Sequence, residues 1–441
     1  MSHSERPWYH RVKWVPTTTL IIIPVLFLLA IPWVPKNRRI LGFAWLYGFH
    51  SGLCITAGTY THGPKTEAKV WGFCKFYKKL TSKNIAGYHR LWSHKSYNAS
   101  WPLRLYLAIF GAAAMEGPII WWAREHRLHH RYTDTTEDPY NIKKGFLHAH
   151  ILWMVLKQRP RTRRVDISDL EADPIVMWQS RHFPLLAIVM GWIFPTIICG
   201  ILFQDWLGGF VYGAILKMIL THQSTFFINS LAHYLGDRPY DDRTTPRDNF
   251  FVAVLTLGEG YHNFHHIFPS DYRNGVRWYQ YDCTKWAIAL WEKVGLAYDL
   301  KRVEQNEIER ARLQELQKGL DSEMKSLPQA KPEQSLPFVN ALEFKRLVEG
   351  GRMLIAVEGA LHDVGDFIAD HPGGLQLIKA FVGKDATNSF NGGIYGHSKV
   401  ARNILSLTRV AILRGQTETT DYEENSKIPR DAMPARYLET R

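Results

Sequence analysis

The stretch EHRLHHRYTDTTEDPYN, Glu125–Asn141, decides how this chain is read. Its histidines, His126, His129 and His130, fall at i, i+3 and i+4, a spacing that stacks side chains on one helix face. Neutral imidazole is the commonest nitrogen ligand of a metal ion. The pattern returns as HNFHH, with His262, His265 and His266, and a shorter pair occurs in HRLWSH, with His89 and His94. One such cluster is weak evidence, because surface histidines group by chance. Three hold more histidines than one ion can use, so two ions are implied. Many imidazoles without cysteine ligands fit iron, zinc or copper, and ligand chemistry alone does not choose. His89 and His94 stand about 140° apart on a straight helix. They serve either two adjacent ions or a locally bent segment.

Around these clusters the chain has the composition of a membrane protein. It carries 16 tryptophans and a net charge of +13 over 441 residues, interrupted by long apolar runs. That combination points to a lipid bilayer before nucleic acid. Runs at 18–34, 40–58, 184–203 and 207–228 approach the roughly 20 apolar residues a span requires. The last contains Lys217, His222 and Gln223, which are expected to face protein and not lipid. The loop after the third run has no Lys or Arg, whereas residues 59–183 are rich in them. The middle region is therefore expected in the cytosol, and two hairpins bring both termini to the same side. A further apolar stretch, Leu103–Trp122, has histidine clusters on both flanks. A crossing there would split them between compartments, so it is read as interfacial or tucked into the bundle. The four cysteines are scattered and expected to be free thiols. His50, His62, His148, His150, His182 and His222 are read as packing or hydrogen-bonding residues. The sequon at Asn98 is expected to be unused.

Taken together, HRLWSH, EHRLHHRYTDTTEDPYN, NSLAH (Asn229–His233) and GEGYHNFHHIFPSDYRNG (Gly258–Gly275) resemble the motifs of the membrane stearoyl-CoA desaturases, the acyl-CoA delta-9 desaturases. The likeness covers most of residues 20–300. It implies a mainly α fold: four transmembrane helices with a cytosolic helical cap holding a di-iron site. The eight clustered histidines and a ninth, His233, would bind the two irons, with Asn229 reaching the metal through water. The substrate would be a saturated long-chain fatty acyl-CoA, stearoyl or palmitoyl, oxidised with O2 at the endoplasmic reticulum membrane. Arg124 and Glu125 would lie near the CoA, with a basic contact at Lys157 and a further contact at Asn37.

The C-terminal region reads as a separate module. A charged, helix-prone segment and the Pro-rich PQAKPEQSLP, Pro328–Pro337, form a linker over 301–335. Beyond it, ALHDVGDFIADHPGG, YGHSK and GKDATNSF resemble cytochrome b5 over about residues 336–413. The resemblance implies a haem b held axially by His371 and His397, and two axial histidines leave no open site, which suits electron transfer. Fungal delta-9 desaturases carry such a module at this end. No dinucleotide-binding glycine fingerprint is present, so an external NADH-cytochrome b5 reductase is expected to reduce the haem. Residues 414–441 are polar and expected to be disordered.

One feature departs from the family. CITAG ends at Gly58 and YHRLWSH begins at Tyr88, where desaturases of this type run from one almost directly into the other. Joined, the two pieces form one ligand-bearing helix. Residues 59–87 are read as a passenger, and the favoured origin is a translated intron. A disruptive insertion would instead leave a haem carrier on an inactive membrane domain. A di-iron hydroxylase, or a desaturase of another lipid, would use the same ligands.

Overall fold

Exposed apolar side chains mark the first helix as a lipid-facing one. In α1, Trp14–Trp33, residues Val15, Leu28, Leu29 and Trp33 are between 66 and 86% exposed. Such a surface is stable only in an apolar solvent. The computed structural model describes residues 8–57, 88–158, 162–393 and 396–414. These divide into two units, Met1–Lys318 and Gly319–Arg441.

In the first unit α2 is Arg38–Thr56, α3 Trp101–Ala114, α4 Ile119–Tyr132 and α5 Pro174–Phe203, with residues 206–229 forming α6. Among the described residues, α1 and α5 are long and apolar enough to cross a membrane alone, and α3 with α4 qualify only as a bent pair. α2 and α6 fall short because they carry polar residues. Those of α6 face protein, as expected from the sequence, whereas Arg38 and Arg39 at the start of α2 are exposed. Lys217 and His222 are buried and meet the carbonyls of Ala113 and Ala114 at 2.7 and 2.8 Å. They satisfy acceptors that the end of α3 leaves without helical partners. The chain then turns by 81° into α4. Met115 and Gly117 take positive φ in this bend, and a Cβ on Gly117 would lie 2.7 Å from the Trp121 ring. The apolar stretch 103–122 therefore bends by nearly a right angle and is not one straight span. Gln204 and Asp205 make the turn between α5 and α6, with Gln204 left-handed and Asp205 capping Gly208.

The segment after the gap rejoins α2. The His89 amide donates to Ile55 O at 3.0 Å, and the Arg90 amide to Thr56 O at 3.2 Å. Counting Tyr88 as the residue after Gly58, both are i→i−5 bonds, one residue wider than an α-turn. Ser93 and His94 both donate to His89 O, so the widening continues through HRLWSH. The two pieces thus stack as one helical run, though not as a regular α-helix. Tyr88, Leu91, Trp92 and Tyr97 are fully buried in a core shared with Leu107, Ile119, Val176 and Ile288. Residues 59–87, with His62 and Cys74, lie outside the described residues. Cys54, Cys199 and Cys283 are free thiols. Asn98 is buried and paired with Asp299, closed to modification.

The first unit continues through α7, His262–Ile267, and α8, Cys283–Lys293; a charged helix, α9, spans Gln305–Ser326. The second unit is α+β. Its four strands, β1 Phe338–Asn340, β2 Leu354–Val357, β3 Ala360–Asp363 and β4 Arg409–Arg414, lie in the order β1-β4-β3-β2. The β1–β4 pair is parallel and the others antiparallel. β2 is buried on both faces. Leu354 and Ala356 pack with Phe344, and Ile355 and Val357 with Val364 and Ala386.

Candidate metal centre

Four segments deliver nine histidines to one buried volume. His89 and His94 come from the widened turn, and His126, His129 and His130 from α4. His233 follows α6, and α7 supplies His262, His265 and His266. They fall into two groups. His89, His94, His126, His130 and His265 form one; His129, His233, His262 and His266 form the other. His89 and His94 therefore share one group, which settles their spacing: the local bend, not two ions, accommodates it. His94 Nε2 lies 2.8 Å from His126 Nε2, so ligands on both flanks of the 103–122 stretch meet on one side.

The nitrogen spacings are those of metal ligands. Nε2 pairs stand at 3.0 Å for His89–His265 and His130–His265, and at 3.1–3.2 Å for His262–His266, His233–His262 and His129–His266. Two rings direct Nδ1 at a fixed oxygen, and a third, that of His89, lies near a carboxylate without hydrogen-bond geometry. His129 Nδ1 is 2.9 Å from Asp138 Oδ1, His233 Nδ1 2.8 Å from Thr245 Oγ1, and His89 Nδ1 3.2 Å from Glu259 Oε2. A proton on Nδ1 leaves Nε2 as a bare lone pair. Nε2 atoms this close share either a proton or a cation between them. Metal–nitrogen bonds of about 2.0–2.1 Å put ligands at right angles about 3 Å apart, and tetrahedral ligands about 3.4 Å apart. The observed separations match the right-angled case. Burial, with repulsion between neighbouring imidazoles, holds His94, His126, His130, His233, His262, His265 and His266 well below the usual imidazole range. Each is neutral at pH 7 and able to ligate.

Behind the ligands lie carboxylates that sequence reading did not identify. Asp138 holds His129, while Asp134 accepts from Thr245, which holds His233. Burial would raise the Glu259 carboxyl, but Arg90 and His89 hold it down at about 2. A cavity beside the histidines is lined by Ile55, Trp121, Trp122, Tyr140, Trp153, Met154, Phe226 and Ile228, together with Asn229. Glu116 also lines it, accepting from Thr225 Oγ1 at 2.7 Å and from Trp122 Nε1 at 3.3 Å. The only sequence signal for Glu116 was a lone carboxylate in an apolar run.

The histidines read as packing residues lie outside both groups where described. His50 meets Tyr106 and His150 meets Ser230 and Gln223. Arg124 pairs with Glu125 beside His126, at 3.0 Å. Lys157 lies in a segment that pairs with Arg11–Lys13. Asn37 is not brought to this region. It caps the N-terminus of α2 through Arg39 N–H, and the 19 residues of that helix put it about 28 Å from Thr56 at the cavity.

In the second unit His371 and His397 face each other with ring centroids 6.4 Å apart. Two metal–nitrogen bonds of about 2 Å and the ring radii fill that separation. His397 Nδ1 is 3.0 Å from Phe390 O and His371 Nδ1 3.4 Å from Gly374 O, so both rings are oriented through Nδ1. A Cβ on Gly373 would approach His371 Cε1 to 2.8 Å, so the turn requires glycine there.

Two histidine groups that could each hold a metal ion, beside apolar helices and in one chain with a module whose two histidines face each other, define the class: a membrane protein of redox character with a metal-binding site. Residues 80–301 match the fatty acid desaturase family and residues 340–414 the cytochrome b5-like heme/steroid binding domain. The chain is 48% identical over 347 residues to acyl-CoA desaturase 1 of Saccharomyces cerevisiae, covering 78% of this chain and 68% of that protein. It is 43% identical over 414 residues to a probable acyl-CoA desaturase of Schizosaccharomyces pombe, with 93 and 79% covered. Human stearoyl-CoA desaturase is 37% identical over 246 residues, with 54 and 68% covered. The chain belongs to the fatty acid desaturase family.

Proposed function

We propose that this protein is an acyl-CoA delta-9 desaturase that receives electrons through its own cytochrome b5 domain. The observation that carries the reading is the pair of Nε2 clusters opening on an aromatic-lined cavity, in a chain nearly half identical to a yeast acyl-CoA desaturase. Five ligands in one group and right-angled spacings in both favour iron over tetrahedral zinc,. Two irons held by these histidines would supply the oxidising power by activating O2. The balance is one saturated acyl chain, O2, two electrons and two protons giving one cis double bond and two waters.

The protein's own residues bind, orient and exclude water. Arg124 and Lys157 meet the anionic CoA head, with Glu125 fixing the Arg124 guanidinium. The acyl chain enters the cavity walled by Trp121, Trp122, Trp153 and Phe226, which keeps water from the reacting carbons. Asp138 and the Thr245–Asp134 pair hold the Nδ1 protons and so the ligating faces of His129 and His233, with Glu259 beside His89. Asn229, at the end of α6, completes the four-histidine group through water. In the second unit His371 and His397 hold the haem, which an NADH-dependent reductase reduces. We place the protein in the endoplasmic reticulum membrane, with α1, α2, α5 and α6 as four spans and the metal centre and termini in the cytosol. Supporting this are the positive charge of residues 88–183 and the burial of Lys217 and His222 of α6 against protein,. Residues 301–335 act as the tether.

The test is product analysis. Purified protein reconstituted with reductase, NADH and stearoyl-CoA is expected to give an acyl chain lighter by two hydrogens. A product heavier by one oxygen would identify a hydroxylase, and haem without non-haem iron would identify a carrier on an inactive anchor.

A further inference from the structure

His89 and His94 reach the metal centre with residues 58–87 intervening between them and α2, the element that would otherwise hold them rigidly. Catalytic geometry tolerates displacements of only about an ångström. Something other than an unbroken helix must therefore fix this pair. Two backbone hydrogen bonds, to Ile55 O and Thr56 O, provide part of the answer. The rest lies in the residue between the ligand and the core. The Arg90 guanidinium is about 1% exposed and makes five hydrogen bonds. Nε and one terminal nitrogen donate to Glu259 Oε1 at 3.2 and 2.9 Å. The terminal nitrogens also donate to the two Asp282 oxygens at 2.8 and 3.0 Å, and one reaches Tyr272 O at 2.8 Å.

Each carboxylate ties this guanidinium to another part of the site. Glu259 Oε2 lies 3.2 Å from His89 Nδ1 and accepts from the Asn274 amide. Asp282 caps α8 through Lys285 N–H and accepts from the Asn274 and Gly275 amides. The next residue but one on α8, Thr284, bonds Thr56 Oγ1 at 2.6 Å, returning the network to the end of α2. Gly258 packs against it so closely that a Cβ would lie 2.6 Å from Asp282 Cα. We propose that Arg90, Glu259 and Asp282 form a buried clamp that positions His89, and through it the five-histidine site, without an unbroken chain out of α2. These are positioning residues, since the clamp acts through His89. The proposal rests on the reading of the site as dinuclear.

Glu259→Gln probes it most directly. Glutamine presents one oxygen and one NH2, so a donor must face either Arg90 or His89 and Asn274. If it faces His89, the Nδ1 proton is displaced to Nε2 and the ligating lone pair is lost. The full-length protein allows an internal count, because haem in the second unit reports the amount of chain. Non-haem iron is expected to fall from two per haem in the parent to one in Glu259→Gln and Arg90→Lys, and the Mössbauer spectrum of 57Fe-loaded protein should change from a coupled pair to a single site. Asp271→Asn weakens a pair with Arg273 that touches no ligand, its carboxylate as buried as Glu259 and its arginine somewhat more exposed than Arg90. It is expected to lower the melting temperature and keep two irons. In a chain with 59–87 removed, Arg90→Lys should lose less iron, because the restored helix shares the task.

The clamp is overturned if both variants keep two irons, or if Asp271→Asn loses iron equally. Equal loss by Arg90→Lys with and without residues 59–87 would also overturn it. A parent holding no non-haem iron would overturn the dinuclear reading along with the clamp, whereas two irons in parent and variants alike would sink the clamp only.

Discussion

His265 and His266 are neighbours in sequence and members of different histidine groups. α7 runs between the two groups, so adjacent residues about 100° apart on a helix point to opposite sides. α4 does the same with His129 and His130. Replacing His265 or His266 by alanine should therefore abolish desaturation in both cases, yet remove different irons. Each variant is expected to hold about one non-haem iron per haem, with distinct Mössbauer parameters. Asp248 makes a different residue-scale prediction. It accepts from the Asn263 and Phe264 amides, and burial pushes its carboxyl up to about 7 against those donors. Between its ordinary value near 4 and about 7, the folded state holds a proton that the unfolded chain has released. This group therefore weakens folding as pH rises through that window and adds no further loss above it. Asp248→Asn keeps the acceptor oxygen and cannot ionise. It should melt above the parent at pH 8, and the gap should close toward pH 4 in a series of thermal melts.

At the scale of elements, the interrupted helix is the most consequential departure from the family. Ile55 and Thr56 accept from His89 and Arg90 as though Tyr88 followed Gly58. Cys54, Ile55, Ala57, Tyr88 and Leu91 share one core. Among the described residues the core thus runs on from the end of α2 to Tyr88 and Leu91. Joining Gly58 to Tyr88 is expected to preserve desaturation at or above the level of the full chain. Acyl-chain analysis of cells lacking delta-9 desaturation, expressing each form, measures this directly. A deletion variant without product would show that the intervening residues are needed. The messenger RNA gives an independent check on their origin: an abundant mature transcript encoding 59–87 would exclude a translated intron. A related lesson holds at the α3–α4 bend. Length and apolarity alone would pass the stretch as a span, but positive φ at Met115 and Gly117 bends it by 81°, with Lys217 and His222 bound to the carbonyls before the bend.

For the whole molecule, fusing the carrier to the enzyme replaces a bimolecular encounter with a tethered one. A short flexible tether gives an effective concentration on the order of millimolar. Severing the chain within 328–337 by an introduced protease site should leave both halves with their metals and reduce turnover steeply in dilute solution. Adding the separate haem domain back at about millimolar concentration should restore it. His397→Ala is expected to lose the haem and reductase-driven turnover while keeping two non-haem irons, measured by absorbance and metal analysis on one sample.

The sequence by itself determined the chemistry. Histidine spacing marked a metal site, the HPGG turn and its partner histidine marked a second module, and composition marked a membrane protein, because each is a local pattern of residue types. Even the seam at Gly58 and Tyr88 was readable as text. Tertiary structure decided what no local pattern encodes. It distributed nine histidines between two groups, widened the turn that lets His89 and His94 share one, and removed Asn37 from the candidate CoA contacts by placing it at the far end of α2. It also brought Arg90, Glu259 and Asp282 together across more than 190 residues. Such partners are fixed by burial, since a charge taken from water must find its counter-charge wherever the fold supplies one.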